Sequence, residues 1–175
     1  MPPAATTIDR ETLLQALDRL GAILRRQKQV GEIADCGGSA ILLQFDWREG
    51  TRDVDVVVRE GHGPVHEAAR AVEADLALPA GWLSEAVAGY LSRSGDARGL
   101  SELGQFPRDA GPPALRVLVA RPEYLFAMKA LAARIETSVL AAAVGRWFPG
   151  ADVPPHCRAF LREVARARAA AAQQQ

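Results

Sequence analysis

Gly37-Gly38-Ser39, followed after residues 40–52 by Asp53-Val54-Asp55-Val56-Val57-Val58, is the stretch on which the reading of this chain turns. Val54 to Val58 is rich in β-branched residues and predicts a strand. Side chains at i and i+2 of a strand lie on one face, so Asp53 and Asp55 are expected side by side. Two carboxylates so placed repel unless a cation sits between them. A hard ion such as Mg2+ takes oxygen ligands and keeps its other positions for water and phosphate oxygens. Paired acids therefore suit metal-assisted phosphoryl or nucleotidyl transfer. The Gly37-Gly38-Ser39 turn complements them. Glycine lets a backbone approach a phosphate closely, and the start of a following helix offers free N–H groups. Ser39 adds a hydroxyl donor.

The flanks supply a frame of helices and short strands. Leu13, Leu17, Leu20 and Leu24 recur at helical spacing within 8–27, with Thr7 or Asp9 as the cap. Residues 31–36 read as a short strand and 40–45 as one or two helical turns. Pro64 opens a helix whose buried stripe is Val65, Ala69, Val72 and Leu76, and Pro79 ends it. Residues 82–91 predict a short helix. Residues 92–113 are polar and broken by Gly and Pro, a loop with room for an edge strand. Leu115 to Ala120 reads as a strand. Helices are expected from Pro122, over 137–148 and over 156–170, with a frayed tail at 171–175. The expectation is an α/β (α+β) domain. A small mixed sheet flanked by helices occupies 8–120, and helices at 121–170 complete a single domain.

Composition narrows the functional classes. Lys plus Arg equals Asp plus Glu, 21 against 21, so no global charge recruits nucleic acid or membrane. Hydrophobic residues make up 49% and charged residues 24%, the balance of an ordinary globular chain. No apolar run suggests a bilayer span, and the N-terminal residues do not resemble a signal peptide. Cys36 and Cys157 form no framework of spacings, so two reduced, buried thiols and a cytoplasmic location are expected.

The order of these motifs resembles the polymerase-β-like nucleotidyltransferase superfamily: a Gly-Gly-Ser turn, a short helix, then Asp-x-Asp in a hydrophobic strand. A second segment extends the likeness. Arg121-Pro-Glu-Tyr-Leu-Phe-Ala-Met-Lys129-Ala-Leu-Ala-Ala-Arg134 looks like the strand-to-helix passage of small bacterial nucleotidyltransferase-like proteins. These are relatives of the toxins of abortive-infection toxin–antitoxin systems. The likeness covers residues 31–135. It implies that Asp53 and Asp55 hold Mg2+, that Gly37, Gly38 and Ser39 hold a nucleoside triphosphate, and that Lys129 neutralises phosphate charge. The implied reaction is transfer of a nucleotidyl group to a hydroxyl of RNA or of a protein. Active members also carry a third carboxylate in a later strand, where Leu115–Ala120 offers Arg116. Spaced aspartates that follow the lysine helix in toxin relatives are reduced here to Glu136. Glu102, Asp109 and Glu123 are candidates to approach from a loop. The alternative expectation is an inactive scaffold or a regulatory partner of the antitoxin type.

Each motif also has a plainer reading. Asp53 and Asp55 can guard a sheet edge. Gly37, Gly38 and Ser39 can be a turn and a helix cap, and Lys129 a surface lysine. Arg52 and Arg134 read as ion-pair partners. His62 and His66 are four apart, but the intervening Gly63-Pro64 argues against a shared helix face. No Cys or Asp nearby completes a zinc set. Cys157, beside His156, lacks an orienting partner for a nucleophile. Arg158, Arg162, Arg166 and Arg168 make the last helix basic, a solvated face or a place for RNA or an acidic partner.

Overall fold

The computed structural model describes residues 7–45, 48–86, 99–122 and 124–125. In chain order the elements are α1 (Arg10–Arg26), β1 (Gly31–Asp35), α2 (Gly38–Gln44), β2 (Val54–Glu60), α3 (His62–Leu76), β3 (Leu83–Ser84), β4 (Leu100–Phe106) and β5 (Leu115–Ala120). The strands form one five-stranded sheet in the order β3-β2-β1-β5-β4. It is mixed: β1 runs antiparallel to β2 and parallel to β5, and β2 runs parallel to β3. The α+β class expected above is therefore the observed one.

Helix α1 forms where the leucine stripe predicts it. Asp9 is its cap, with Oδ1 accepting the Thr12 N–H at 2.8 Å. Leu13, Leu17, Leu20 and Leu24 are all buried. They pack with α3, which presents Val65, Ala68, Ala69 and Val72, and both helices lie against the sheet. Trp82 fills the far end of this core and donates its indole N–H to the Ala69 carbonyl at 3.0 Å.

One expectation fails here. Residues 82–91 were expected to be helical, yet Leu83 and Ser84 are a strand paired with Val54 and Asp55. A two-residue strand carries no periodicity, and its pairing is a tertiary fact. The edge strand allowed for within 92–113 is β4.

Contacts divide the chain into one compact unit of Met1–Ala88 with Glu102–Ala120, and another of Gly89–Ser101 with Arg121–Gln175. The first contains nearly all the described elements. In the second, the Arg121 N–H donates to the Gly99 carbonyl, and Tyr124 is buried. The helices expected over 137–148 and 156–170, the tail, Lys129, Arg134, Glu123, Trp47, Trp147 and Cys157 lie outside the described residues. No helix among the described residues is long and apolar enough to cross a membrane.

Candidate functional site

Strand β2 sits between β1 and β3, and Asp55 pairs with Ser84, so Asp55 does not guard a sheet edge. Val54 and Val56 are buried in the core, which leaves the alternate positions for the other face. Asp55 is half-buried on that face, and Asp53, one residue before the strand, is exposed. Thr51 braces this entry, its hydroxyl donating to the Asp53 carbonyl at 2.9 Å.

The glycine turn comes directly onto Asp55. A methyl group built on Gly37 would lie 2.7 Å from Asp55 Cβ and 2.9 Å from its Oδ2. Only a residue without Cβ permits that approach. The Cys36 N–H also donates to the Asp55 carbonyl at 2.9 Å, locking the end of β1 to β2. On Gly38 the neighbour is a cation: a Cβ there would lie 2.7 Å from a terminal nitrogen of Arg48. The Arg48 guanidinium is held by a 2.9 Å bond from Nε to the Gly50 carbonyl. The turn thus has a carboxylate against one glycine and a guanidinium against the next.

Behind the turn is an acid that the sequence reading passed over. Asp35, at the end of β1, is 1% exposed. Its Oδ1 accepts the Gly37 N–H at 3.0 Å and the Ser39 hydroxyl at 2.8 Å. Its Oδ2 is buried and has no hydrogen-bond partner among the described residues. Burial pushes its pKa up to about 7, against the pull of the Gly37 and Ser39 donors, and the charge of Asp55 adds to the rise. The readable signal was local: an Asp two residues before a glycine and four before a serine is the pattern of a side chain that organises its own turn.

The expected site residues are therefore distributed as follows. Asp55 and the Gly37-Gly38 turn come together, and Asp53, two residues before Asp55, is exposed. Ser39 is fully buried and its hydroxyl is committed to Asp35, so its side chain supports the turn from within.

Arg116 does not stand where a third carboxylate was sought. In the parallel pairing of β1 with β5, Asp35 is level with Val119 and Arg116 is level with Glu32. Arg116 bonds there to Glu32 at 3.0 Å and Glu102 at 2.8 Å, and Arg59 joins Glu32 at 3.1 Å. Glu102 is thereby spent on this network. Gln105 and Arg116 lower its pKa. Asp109 is likewise spent on Arg25, with two contacts of 2.6 Å.

Comparison with known proteins finds no family model, no curated relative and no solved structure that matches. The chemistry of the chain rests on its own geometry.

A second cluster lies at the other end of β2. His62 and His66, both on α3, direct Nε2 at the same oxygen of Glu85, at 2.8 and 2.9 Å. The expectation that Gly63-Pro64 would keep the two histidines apart is wrong. Pro64 is the third residue of α3, where its missing N–H costs no helical bond, so the helix runs from His62 and the i, i+4 pair shares a face. The acid that completes the set, Glu85, is distant in sequence and follows β3. Three ligand atoms within 4.8 Å of one another make this a group that can hold a metal ion.

Proposed function

We propose that the chain binds a nucleoside triphosphate with Mg2+ at the Gly37-Gly38 turn, and that Asp53 and Asp55 hold the ion. The observation that carries this reading is the direct contact of Gly37 with the Asp55 carboxylate. It brings a backbone free of side chain and an oxygen ligand for a hard cation to one place. Arg48 beside Gly38 supplies positive charge for phosphate oxygens. Asp35 acts as a positioning residue, its Oδ1 holding both the Gly37 N–H and the Ser39 hydroxyl. Lys129, to which the resemblance to nucleotidyltransferases gives the neutralising of phosphate charge, lies outside the described residues. Bound Mg2+ would offset negative charge on the phosphates. A hydroxyl of RNA or of a protein would attack the α-phosphorus in line, with pyrophosphate leaving.

The test is Mg2+-dependent binding of each of the four triphosphates, followed by transfer of label from them to RNA and protein. Binding that vanishes in the Asp53→Ala, Asp55→Ala double variant supports the site, and binding that persists there refutes it.

One observation favours a second reading, an inactive nucleotide-binding scaffold or antitoxin-like regulatory partner. Strand β5, Leu115–Ala120, contains no acid, and Val119 is level with Asp35. Nucleotide binding without transfer to any acceptor would select that reading.

A further inference from the structure

We propose that His62, His66 and Glu85 form a binding site for a Zn2+-type transition-metal ion that ties the start of α3 to the edge of the sheet. The site is independent of the nucleotide reading and uses none of its residues.

The argument starts from the chain between β2 and α3. Gly61 takes a left-handed conformation with φ 72°, and a Cβ there would collide with the Val30 carbonyl oxygen. This turn starts α3 at His62, so His62 and His66 occupy successive turns on one face, the spacing by which helices present two imidazoles to zinc. The rings lie with centroids 4.6 Å apart. Both Nε2 atoms converge on a single oxygen, Glu85 Oε2.

Zinc bonds of about 2.0–2.2 Å to nitrogen and oxygen set neighbouring ligand atoms of a tetrahedron roughly 3.4 Å apart. The observed His-to-Glu separations of 2.8 and 2.9 Å need to open by only about half an ångström, and the three atoms already lie within 4.8 Å of one another. Rotation of the exposed His62 ring and small shifts of the half-buried His66 and Glu85 side chains supply such a movement.

The carboxylate is also pre-oriented. Its other oxygen, Oε1, accepts the Val58 N–H at 3.1 Å, so the strand backbone aims Oε2 at the histidines. A fixed outer bond of this kind is what metal ligands use to hold their direction. The His62 side chain is 69% exposed, which leaves a fourth position for water.

Two imidazoles and one carboxylate suit zinc and its neighbours in the transition series and not Mg2+, which takes oxygen ligands. The three residues come from α3 and from the segment after β3. An ion among them would link α3 to the segment that follows β3, a strand paired with β2 at Val54–Leu83 and Asp55–Ser84.

The experiment titrates Zn2+ alone, then Co2+ as a spectroscopic probe, into the full chain freed of any affinity tag. One Zn2+ per chain, a higher midpoint of thermal unfolding with zinc, and the visible absorption of four- or five-coordinate Co2+ are expected. His62→Ala, at an exposed position, and Glu85→Gln should each weaken binding by at least about tenfold. His62→Ala with His66→Gln should remove the Co2+ spectrum while circular dichroism stays unchanged. Millimolar Mg2+ should not compete. Absence of stoichiometric zinc, or zinc and the Co2+ spectrum retained in the double histidine variant, overturns the proposal. The three groups would then be no more than a hydrogen-bonded cluster.

Discussion

The two ends of strand β2 hold titratable clusters of opposite character. At its start, Asp55 meets a glycine turn that is pinned from behind by a fully buried acid, Asp35. Three residues beyond Asp55, about 10 Å along a strand, Val58 orients a carboxylate toward two imidazoles at the protein surface. The first cluster offers carboxylate oxygens as ligands, and burial drives its Asp35 toward the neutral form. The second offers nitrogen and oxygen, half in water. On the two proposals above, one strand would serve two kinds of cation, because ligand chemistry, not proximity to the same backbone, selects the ion.

The largest expected effect is a double dissociation. Asp53→Ala with Asp55→Ala should abolish Mg2+-dependent nucleotide binding and leave zinc binding intact, and His62→Ala with His66→Gln should do the reverse. Titration calorimetry of both ligands on both variants measures it, and loss of both functions in either variant would merge the two ends into one site.

Next in size is the effect of Asp35 on stability. Its pKa is raised from 3.8 to about 7 in the folded state, so the folded chain binds more protons than the unfolded chain between those values. Stability should therefore fall as pH rises from about 4 to about 7, by on the order of a few kcal/mol from this group, and then level off. Asp35→Asn should flatten that dependence and be the more stable protein at pH 8. Urea unfolding in the presence of a chelator checks it, and a wild-type curve with no such fall would mean that Asp35 is not buried as described.

Gly37→Ala should cost about 1–3 kcal/mol, since the new methyl group overlaps the Asp55 side chain. It should weaken nucleotide binding while leaving zinc binding unchanged. A variant as stable as the parent would show that the turn does not press on Asp55.

The smallest effect belongs to the exposed pair of Arg25 and Asp109, which serves as a control for both ends. The Arg25 guanidinium holds Asp109 down to about 2, so any stabilisation is present above the ordinary value of 3.8 and is lost as pH falls toward 2. Solvent screens a pair this open, and Asp109→Asn should barely move the urea midpoint, less still in high salt. A clear loss of stability would show the pair to be less screened than its exposure indicates.

Much of the frame was legible in the residues. The leucine stripe of α1, the valine run of β2 and the short apolar run of β5 each carry their own period and length, and each forms where expected. Asp55 and the Gly37-Gly38 turn were singled out by spacing, and the structure brings them into contact. Asp35 was missed because nothing in an isolated Ala-Asp-Cys tells that the aspartate will be buried. Arg116 was read from its strand alone, and only the register shows it level with Glu32, paired with Glu32 and Glu102. Glu85 and Arg48 were invisible because their neighbours are set by the folded chain, the α3 histidines for Glu85 and the turn at Gly38 for Arg48.

By itself the sequence determined α1, β2 and β5, because periodicity, capping and glycine's missing Cβ act within a few residues of the chain. Only the tertiary structure decided which acid is buried, which arginine lies on the glycine turn and that Glu85 joins the two histidines. Those outcomes depend on strand pairing and desolvation, which are properties of segments brought together from far apart in the chain.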